Sequence, residues 1–228
     1  MLSEKDFFKG KSIIVVGHYG TGKTVFSANL AAYISGLGIP TLACDIDTVN
    51  PYFRLADASA YLESKAVRLI APDFANSNVD IPALPAELNC VIPHLRSGGC
   101  AVFDVGGDFV GASPVGMLKD RLLPFGVEML YVINQSRPLI SDPADAVTVM
   151  REIEDRCGIK CTYAVNNTNL SLHTDRDTVL SGEEYAEKFS SLSSIPILCT
   201  ASFNDYPTRY KLFKMTDTSK KLFSEDSQ

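Results

Sequence analysis

The feature that most constrains the fold is a glycine-rich octapeptide near the N-terminus. Residues 17–24 read Gly-His-Tyr-Gly-Thr-Gly-Lys-Thr and fit the pattern G-x-x-x-x-G-K-[ST]. An apolar run, Ser12–Val16, precedes this segment and predicts a buried strand, whereas Val25–Ser35 follows it and predicts a helix. A strand, a glycine turn and a helix in this order form the start of a parallel α/β sheet. They are also the context in which this pattern binds phosphate.

Each part of this phosphate loop has a chemical reason. The glycines let backbone N–H groups point inward at phosphate oxygens, and the following helix directs its positive end at the same charge. Lys23 would reach the β- and γ-phosphates, and the Thr24 hydroxyl would bind Mg²⁺. We therefore predict seven nucleotide-binding residues in this segment. They are Gly17, Gly20, Thr21, Gly22, Lys23, Thr24 and Val25.

The rest of the chain predicts one domain over residues 1–228. Apolar strands alternate with helical segments, which is typical of parallel βαβ units, and right-handed crossovers place helices on both faces of the sheet. We predict a three-layer, doubly wound α/β domain with a mostly parallel sheet. Residues 1–10 are expected to form a lead-in arm, and residues 205–228 a C-terminal helix or tail. The hydrophobic content of 46% is ample for one core.

Composition argues against several classes of function. A net charge of −6 disfavours nucleic-acid binding, which needs a basic surface. The chain has no run of about 18 apolar residues and no signal peptide pattern, so no transmembrane helix is expected. The mixed basic and apolar segment 206–215 is predicted to pack on the sheet rather than on a membrane. Six scattered cysteines predict reduced thiols and a cytoplasmic location.

Polar residues follow three further predicted strands. They lie in segments 45–47, 104–108 and 166–169. Ligands of doubly wound sheets bind beyond the carboxyl ends of the strands. These segments and the phosphate loop are therefore predicted to meet at one nucleotide site.

The aspartates of these segments suggest specific roles. Asp104 ends an apolar strand, as the Mg²⁺-associated aspartate of phosphate-loop enzymes does, and the Gly107 N–H is placed to sense a γ-phosphate. Asp45 and Asp47 alternate along an extended chain and so face the same side. We predict that Asp45 contributes to the Mg²⁺ site and that Asp47 orients the attacking water. The alternative for each aspartate is to cap a turn. For Asp108 this structural role fits the sequence as well as a role at the nucleotide site does.

The base-binding residue is predicted less directly. Asn166 ends an apolar strand, and an amide can read a base edge through its donor and acceptor groups. The guanine-reading motif Asn-Lys-x-Asp is absent, which favours adenine over guanine. Asn134 is the weaker candidate, and a turn-forming role is the alternative for both asparagines. Arg54 is predicted to pair either with phosphate or with a carboxylate.

Together, the phosphate loop, Asp45-x-Asp47, Asp104-x-x-Gly107 and Asn166 resemble the MinD/ParA-like branch of the P-loop NTPases. The resemblance covers the chain from about residue 10 to about residue 200. It implies a sheet of seven or eight mostly parallel strands, binding of Mg²⁺ and ATP, and often an ATP-dependent homodimer.

One position departs from the pattern of that family. The family's loop usually carries a second lysine directly after its first glycine, and that lysine reaches the partner's nucleotide. Here the position is His18, and Tyr19 replaces a glycine. A neutral histidine is a poor substitute for a fixed cation, so turnover is expected to be slow and a homodimer is the weaker expectation.

Three functions remain open from the sequence. The favoured one is a Mg²⁺-dependent ATPase that acts as a conformational switch on a protein partner, with Lys23, Asp47 and Asp104 as catalytic residues. The second is an ATP-dependent synthase that activates a carboxylate, as dethiobiotin and cobyrinate synthases do, with a substrate pocket formed by residues 71–85 and 108–116. The third is a nucleotide-binding scaffold that does not hydrolyse its ligand.

Overall fold

Eight strands form one sheet in the computed structural model, which describes residues 3–47, 54–72 and 85–218. Residues 48–53, most of the candidate pocket segment 71–85 and the chain from residue 219 onward lie outside the described residues. The strands are β1 (Ser12–Val16), β2 (Thr41–Asp45), β3 (Val67–Ile70), β4 (Cys100–Asp104), β5 (Val127–Ile133), β6 (Tyr163–Asn166), β7 (Ile197–Ser202) and β8 (Leu212–Lys214).

Helices connect most of these strands. They are α1 (Glu4–Phe8), α2 (Lys23–Gly36), α3 (Ser59–Ser64), α4 (Val91–Arg96), α5 (Ser113–Leu122), α6 (Pro143–Cys157) and α7 (Arg176–Ser193). Short 3₁₀ turns occur at Leu55–Ala58, Ala86–Cys90, Leu123–Phe125, Pro138–Ile140 and Ser171–His173. None of the helices in the described ranges is long and apolar enough to cross a bilayer.

The strand order places β1 at the topological switch point of the sheet. The order is β3-β2-β4-β1-β5-β6-β7-β8, and every pair is parallel. Strands β2 and β3 lie on one side of β1, and β4 lies between β2 and β1. Strands β5 to β8 follow in order on the other side of β1. In such sheets the crevice for a ligand opens at this reversal. The prediction of a doubly wound α/β fold is confirmed.

Alternate residues of the central strand belong to two separate cores. Ile13 and Val15 pack with α2 and α3, whereas Ile14 and Val16 pack with the helices α4 to α7 on the opposite face. A strand that is buried on both faces has no polar side, which explains why β1 is apolar throughout after Ser12.

The C-terminal segment differs from the expected helix or tail. Residues 212–214 form β8, which pairs with β7. Phe213 packs edge-on against Phe26 and Tyr33 of α2, with ring centroids 5.3 and 5.7 Å apart. No helix is present between residues 205 and 218. The partly buried ring of Phe213 and the pairing with β7 hold this segment on the edge of the sheet.

Candidate functional site

Loops that follow six of the strands enclose a cavity of about 420 Å³ at the carboxyl edge of the sheet. The phosphate loop forms one wall, and residues after β2, β5, β6, β7 and β8 form the others. The lining residues are Tyr19, Gly20, Gly22, Lys23, Thr24, Val25, Asp47, Arg137, Asn167, Asn169, Ser171, Phe203, Met215 and Asp217.

Glycine is required at two positions of the phosphate loop by close backbone approaches. A Cβ atom at Gly17 would lie 2.4 Å from the Val132 carbonyl oxygen, and one at Gly22 would lie 2.3 Å from Nδ2 of Asn167. Gly22 also has a φ of 89°, a conformation that favours glycine. The loop is therefore held tightly between β5 and the segment after β6.

Internal hydrogen bonds fix the curl of the loop. The Thr21 hydroxyl donates to the His18 carbonyl at 2.8 Å, and Nδ2 of Asn167 donates to the Thr21 carbonyl at 2.7 Å. Thr21 is fully buried, so only its backbone is available to a ligand. The His18 ring nitrogen Nδ1 lies 3.1 Å from the Tyr19 carbonyl oxygen. His18 is half-buried and does not line the cavity.

Lys23 is the first residue of α2 and lies on the cavity wall. Its side chain is buried, and burial lowers the pKa of its ammonium group, whereas the charges of Asp104, Asp47 and Asp108 act in the opposite direction. A lysine at a helix N-terminus is unfavourable for the helix itself, because the helix dipole is positive there. An anion bound at this point would remove both costs.

Asp104 lies behind Lys23 at the end of β4 and is the most strongly perturbed carboxylate of the site. The hydroxyls of Thr24 and Ser27 hydrogen-bond to it, the latter at 3.1 Å. Burial, together with the nearby charge of Asp45, raises the pKa of Asp104 to about 7, although the charge of Lys23 opposes this shift. A hydroxyl and a buried carboxylate with incomplete charge compensation form an oxygen donor set that fits Mg²⁺.

Asp45 and Asp47 have different environments. Asp45 pairs with Asp104 across β2 and β4, and its carboxylate accepts from the Arg54 Nε at 3.0 Å and from the Asp47 N–H at 3.2 Å. Burial raises the pKa of Asp45, and Arg54 opposes this. Asp45 is almost fully buried and does not line the cavity, whereas Asp47 does. Of the two pairings predicted for Arg54, the structure shows the one with a carboxylate.

The segment after β4 lies directly against the phosphate loop. A Cβ atom at Gly107 would be 2.8 Å from the backbone of Tyr19 and 3.1 Å from Nζ of Lys23. Gly107 is therefore close enough to the lysine to contact the same phosphate. Asp108 is exposed and accepts a hydrogen bond from the Gly111 N–H at 2.6 Å, which is the turn-capping role.

The structure places the neighbour of Asn166, not Asn166 itself, on the cavity wall. Asn166 is fully buried, accepts from the Thr168 N–H at 3.2 Å and donates to the Thr200 hydroxyl at 3.4 Å. Asn167 and Asn169 line the cavity. Asn134 is also fully buried and accepts from the Ser136 N–H at 3.0 Å. Successive side chains of an extended chain point to opposite sides, so Asn167 can face the cavity where Asn166 does not.

Several cavity residues were missed by sequence reasoning. Arg137 follows β5, Phe203 follows β7, and Met215 and Asp217 follow β8. The last two are held there by Asn29 of α2, whose side chain donates to the Thr216 carbonyl at 2.9 Å and accepts from the Thr216 N–H at 2.8 Å. A signal existed for Arg137 alone, because it is a cation shortly after an apolar strand. The others depend on long-range packing.

Comparison with known proteins identifies the architecture. No protein-family model and no curated protein sequence matches the chain. Solved structures do match. The signal recognition particle receptor FtsY from Elizabethkingia anophelis aligns with a TM-score of 0.56 and 16% identity, over 84% of this chain and 58% of that one. The chain has the fold of the P-loop NTPases.

Two further structures agree with this assignment. The signal recognition particle 54 kDa protein from Aeropyrum pernix K1, in complex with GDP, aligns with a TM-score of 0.55 and 17% identity, over 82% of this chain and 40% of that one. FtsY from Thermotoga maritima gives a TM-score of 0.52 and 17% identity, over 84% and 61%. The chain thus spans less than two thirds of these proteins. Membership of the MinD/ParA-like branch stays a prediction.

Proposed function

We propose that the chain binds a nucleoside triphosphate with Mg²⁺ in this cavity and hydrolyses it slowly as a switch that acts on a protein partner. The observation that carries the proposal is the phosphate loop itself. Its backbone is curled at glycines, it opens into α2, and it presents buried Lys23 beside three carboxylates. In P-loop proteins this arrangement holds the β- and γ-phosphates.

Each residue of the site has its own role in this proposal. Lys23 and the backbone of residues 20–25 would bind the phosphates, and Thr24 with Asp104 would hold Mg²⁺, which neutralises charge on the phosphate oxygens when bound. Asp47 lines the cavity and is the residue that would orient water. Asp45 would act through Asp47, whose N–H donates to it at 3.2 Å. Gly107 would sense the γ-phosphate.

The proposed nucleotide is ATP, because the guanine-reading motif is absent from the segment after β6. One observation favours GTP as a second candidate. Asp217 lines the cavity, and a carboxylate there could accept hydrogen bonds from the guanine edge. Binding of ATP and GTP should therefore be measured side by side.

The test of the proposal is nucleotide binding and phosphate release by the wild type and by Lys23→Ala. Loss of the charge-assisted contacts should weaken binding at least about tenfold and reduce hydrolysis in parallel. Lys188→Ala, which changes an exposed lysine of α7, is the matched control and should behave as the wild type. Equal binding and equal rates in all three proteins would refute the proposed function. Binding without phosphate release over hours would identify a scaffold instead.

A further inference from the structure

Arg137 is the second cation on the wall of the nucleotide cavity. Among the described lining residues, positive charge is carried by Lys23 and Arg137. The Cδ and Nε atoms of Arg137 both lie 3.6 Å from the position that a Cβ atom would take at Gly20, and Cζ lies 3.8 Å from it. The side chain therefore lies beside the phosphate loop at Gly20, close enough that an added Cβ atom there would be in van der Waals contact with it.

One donor of the guanidinium group lacks an acceptor in the described part of the protein. Nε of Arg137 is buried and has no hydrogen-bond partner. None of the ion pairs among the described residues involves Arg137. Buried donors that form no hydrogen bond are costly, and five N–H groups in a planar fork match the oxygens of a phosphate. The arrangement is that of a group whose acceptor arrives with a ligand.

The backbone at Arg137 is fixed to the sheet rather than carried on a free arm. The Arg137 N–H donates to the Asn134 carbonyl at 3.2 Å, and the Ser136 N–H donates to the Asn134 side chain at 3.0 Å. The Gln135 N–H donates to the hydroxyl of Thr168 at 3.1 Å. These bonds hold the loop after β5 against the segment after β6, so the backbone position of Arg137 is fixed beside the cavity.

The charge of the proposed ligand favours a second cation in the cavity. Asp47 and Asp217 also line the cavity, and a magnesium nucleoside triphosphate brings more negative charge than Lys23 alone offsets. His18 does not provide the missing cation, since its ring lies against the Tyr19 carbonyl and outside the cavity lining.

We propose that Arg137 is the second phosphate-binding residue of this site, contacting the β- and γ-phosphates from within the same chain. The inference rests on the proposed function and adds a residue to it. It also means that triphosphate binding needs no cation from a second subunit.

The test is isothermal titration of ATP with Mg²⁺ into the wild type, Arg137→Met, Arg137→Lys and a control, Arg176→Ala, which changes an exposed arginine at the start of α7. Methionine keeps the packing against Gly20 but removes the charge. Arg137→Met should weaken binding by about tenfold to a hundredfold and reduce its salt dependence. Arg137→Lys should recover a part of the affinity, and Arg176→Ala should match the wild type.

The thermal midpoint of the nucleotide-free proteins separates binding from folding. Arg137→Met should not lower it, because the donor that it removes has no partner. Wild-type affinity in Arg137→Met would overturn the inference while leaving the proposed function intact. If the wild type itself binds no nucleotide, the proposed function fails first and the role of Arg137 fails with it.

Discussion

Replacing Asp104 with asparagine should stabilise the free protein while removing its predicted Mg²⁺ ligand. Burial raises the pKa of Asp104 to about 7, from an ordinary value of 3.8. A carboxylate with a raised pKa binds its proton more tightly in the folded than in the unfolded state. Its contribution to the free energy of unfolding therefore falls as the pH rises from about 4 to about 7, and stays constant above that range.

The magnitude follows from the size of the shift. About three pKa units at about 1.4 kcal/mol each amount to about 4 kcal/mol of destabilisation at pH 8 relative to a neutral side chain. At about pH 5 most of this cost is absent from the folded protein. Asparagine keeps an oxygen that can accept from Ser27, so the variant loses the charge without losing that hydrogen bond. The increase in the free energy of unfolding that Asp104→Asn causes, relative to the wild type, should thus be about 3 kcal/mol larger at pH 8 than at pH 5.

Urea unfolding followed by circular dichroism measures this difference, since the chain has no tryptophan for fluorescence. EDTA and the absence of nucleotide keep the site free of cations. Asp120→Asn, an exposed aspartate of α5, is the matched control and should be nearly neutral at both pH values. The reasoning is refuted if Asp104→Asn is destabilised at pH 8, or if its difference from the wild type is the same at both pH values.

Two further predictions concern the loop and the C-terminal segment. Gly22→Ala should cost about 1–3 kcal/mol of stability in urea unfolding, because φ is 89° and the new Cβ would meet Asn167. Adding Asn167→Ala should recover part of that cost in a double-mutant cycle, and strict additivity would contradict the contact. Asn29→Ala should remove both hydrogen bonds to Thr216 and speed proteolysis around residues 215–218. It should also weaken ATP binding, because two residues of the cavity wall flank Thr216. Unchanged cleavage would show that the segment is held by other contacts.

The sequence predicts the layers of the fold well because they depend on local patterns. The apolar run of β1, the glycines of residues 17–22 and the helix from Lys23 are all encoded within a short stretch. The convergence of the strand ends follows from the rules of parallel sheets. β8 is different, because Leu212–Lys214 becomes a strand only through its contacts with β7 and α2, which are distant in sequence.

The candidate site divides in the same way. Lys23 and Asp47 were predicted from their positions, and both line the cavity. The position of Asn166 at a strand end predicts a base-binding role, but its side chain is fully buried and Asn167 lines the cavity instead. Which of two neighbouring residues faces a ligand depends on the register with β5 and β7, and a single sequence contains no information about that register.

The electrostatics of the site connect its two unbalanced groups. The Asp104 charge is incompletely compensated by Lys23, and Nε of the Arg137 guanidinium group lacks an acceptor among the described residues. The two groups carry charges of opposite sign, but they do not neutralise each other, because each group faces a different part of the phosphate loop. A ligand that carries both a cation and anionic oxygens would offset both at once. Magnesium bound to a nucleotide has this composition, whereas free phosphate or free Mg²⁺ would satisfy only one group. Under the proposed function, the folded protein therefore carries an electrostatic cost that a bound magnesium nucleotide would relieve.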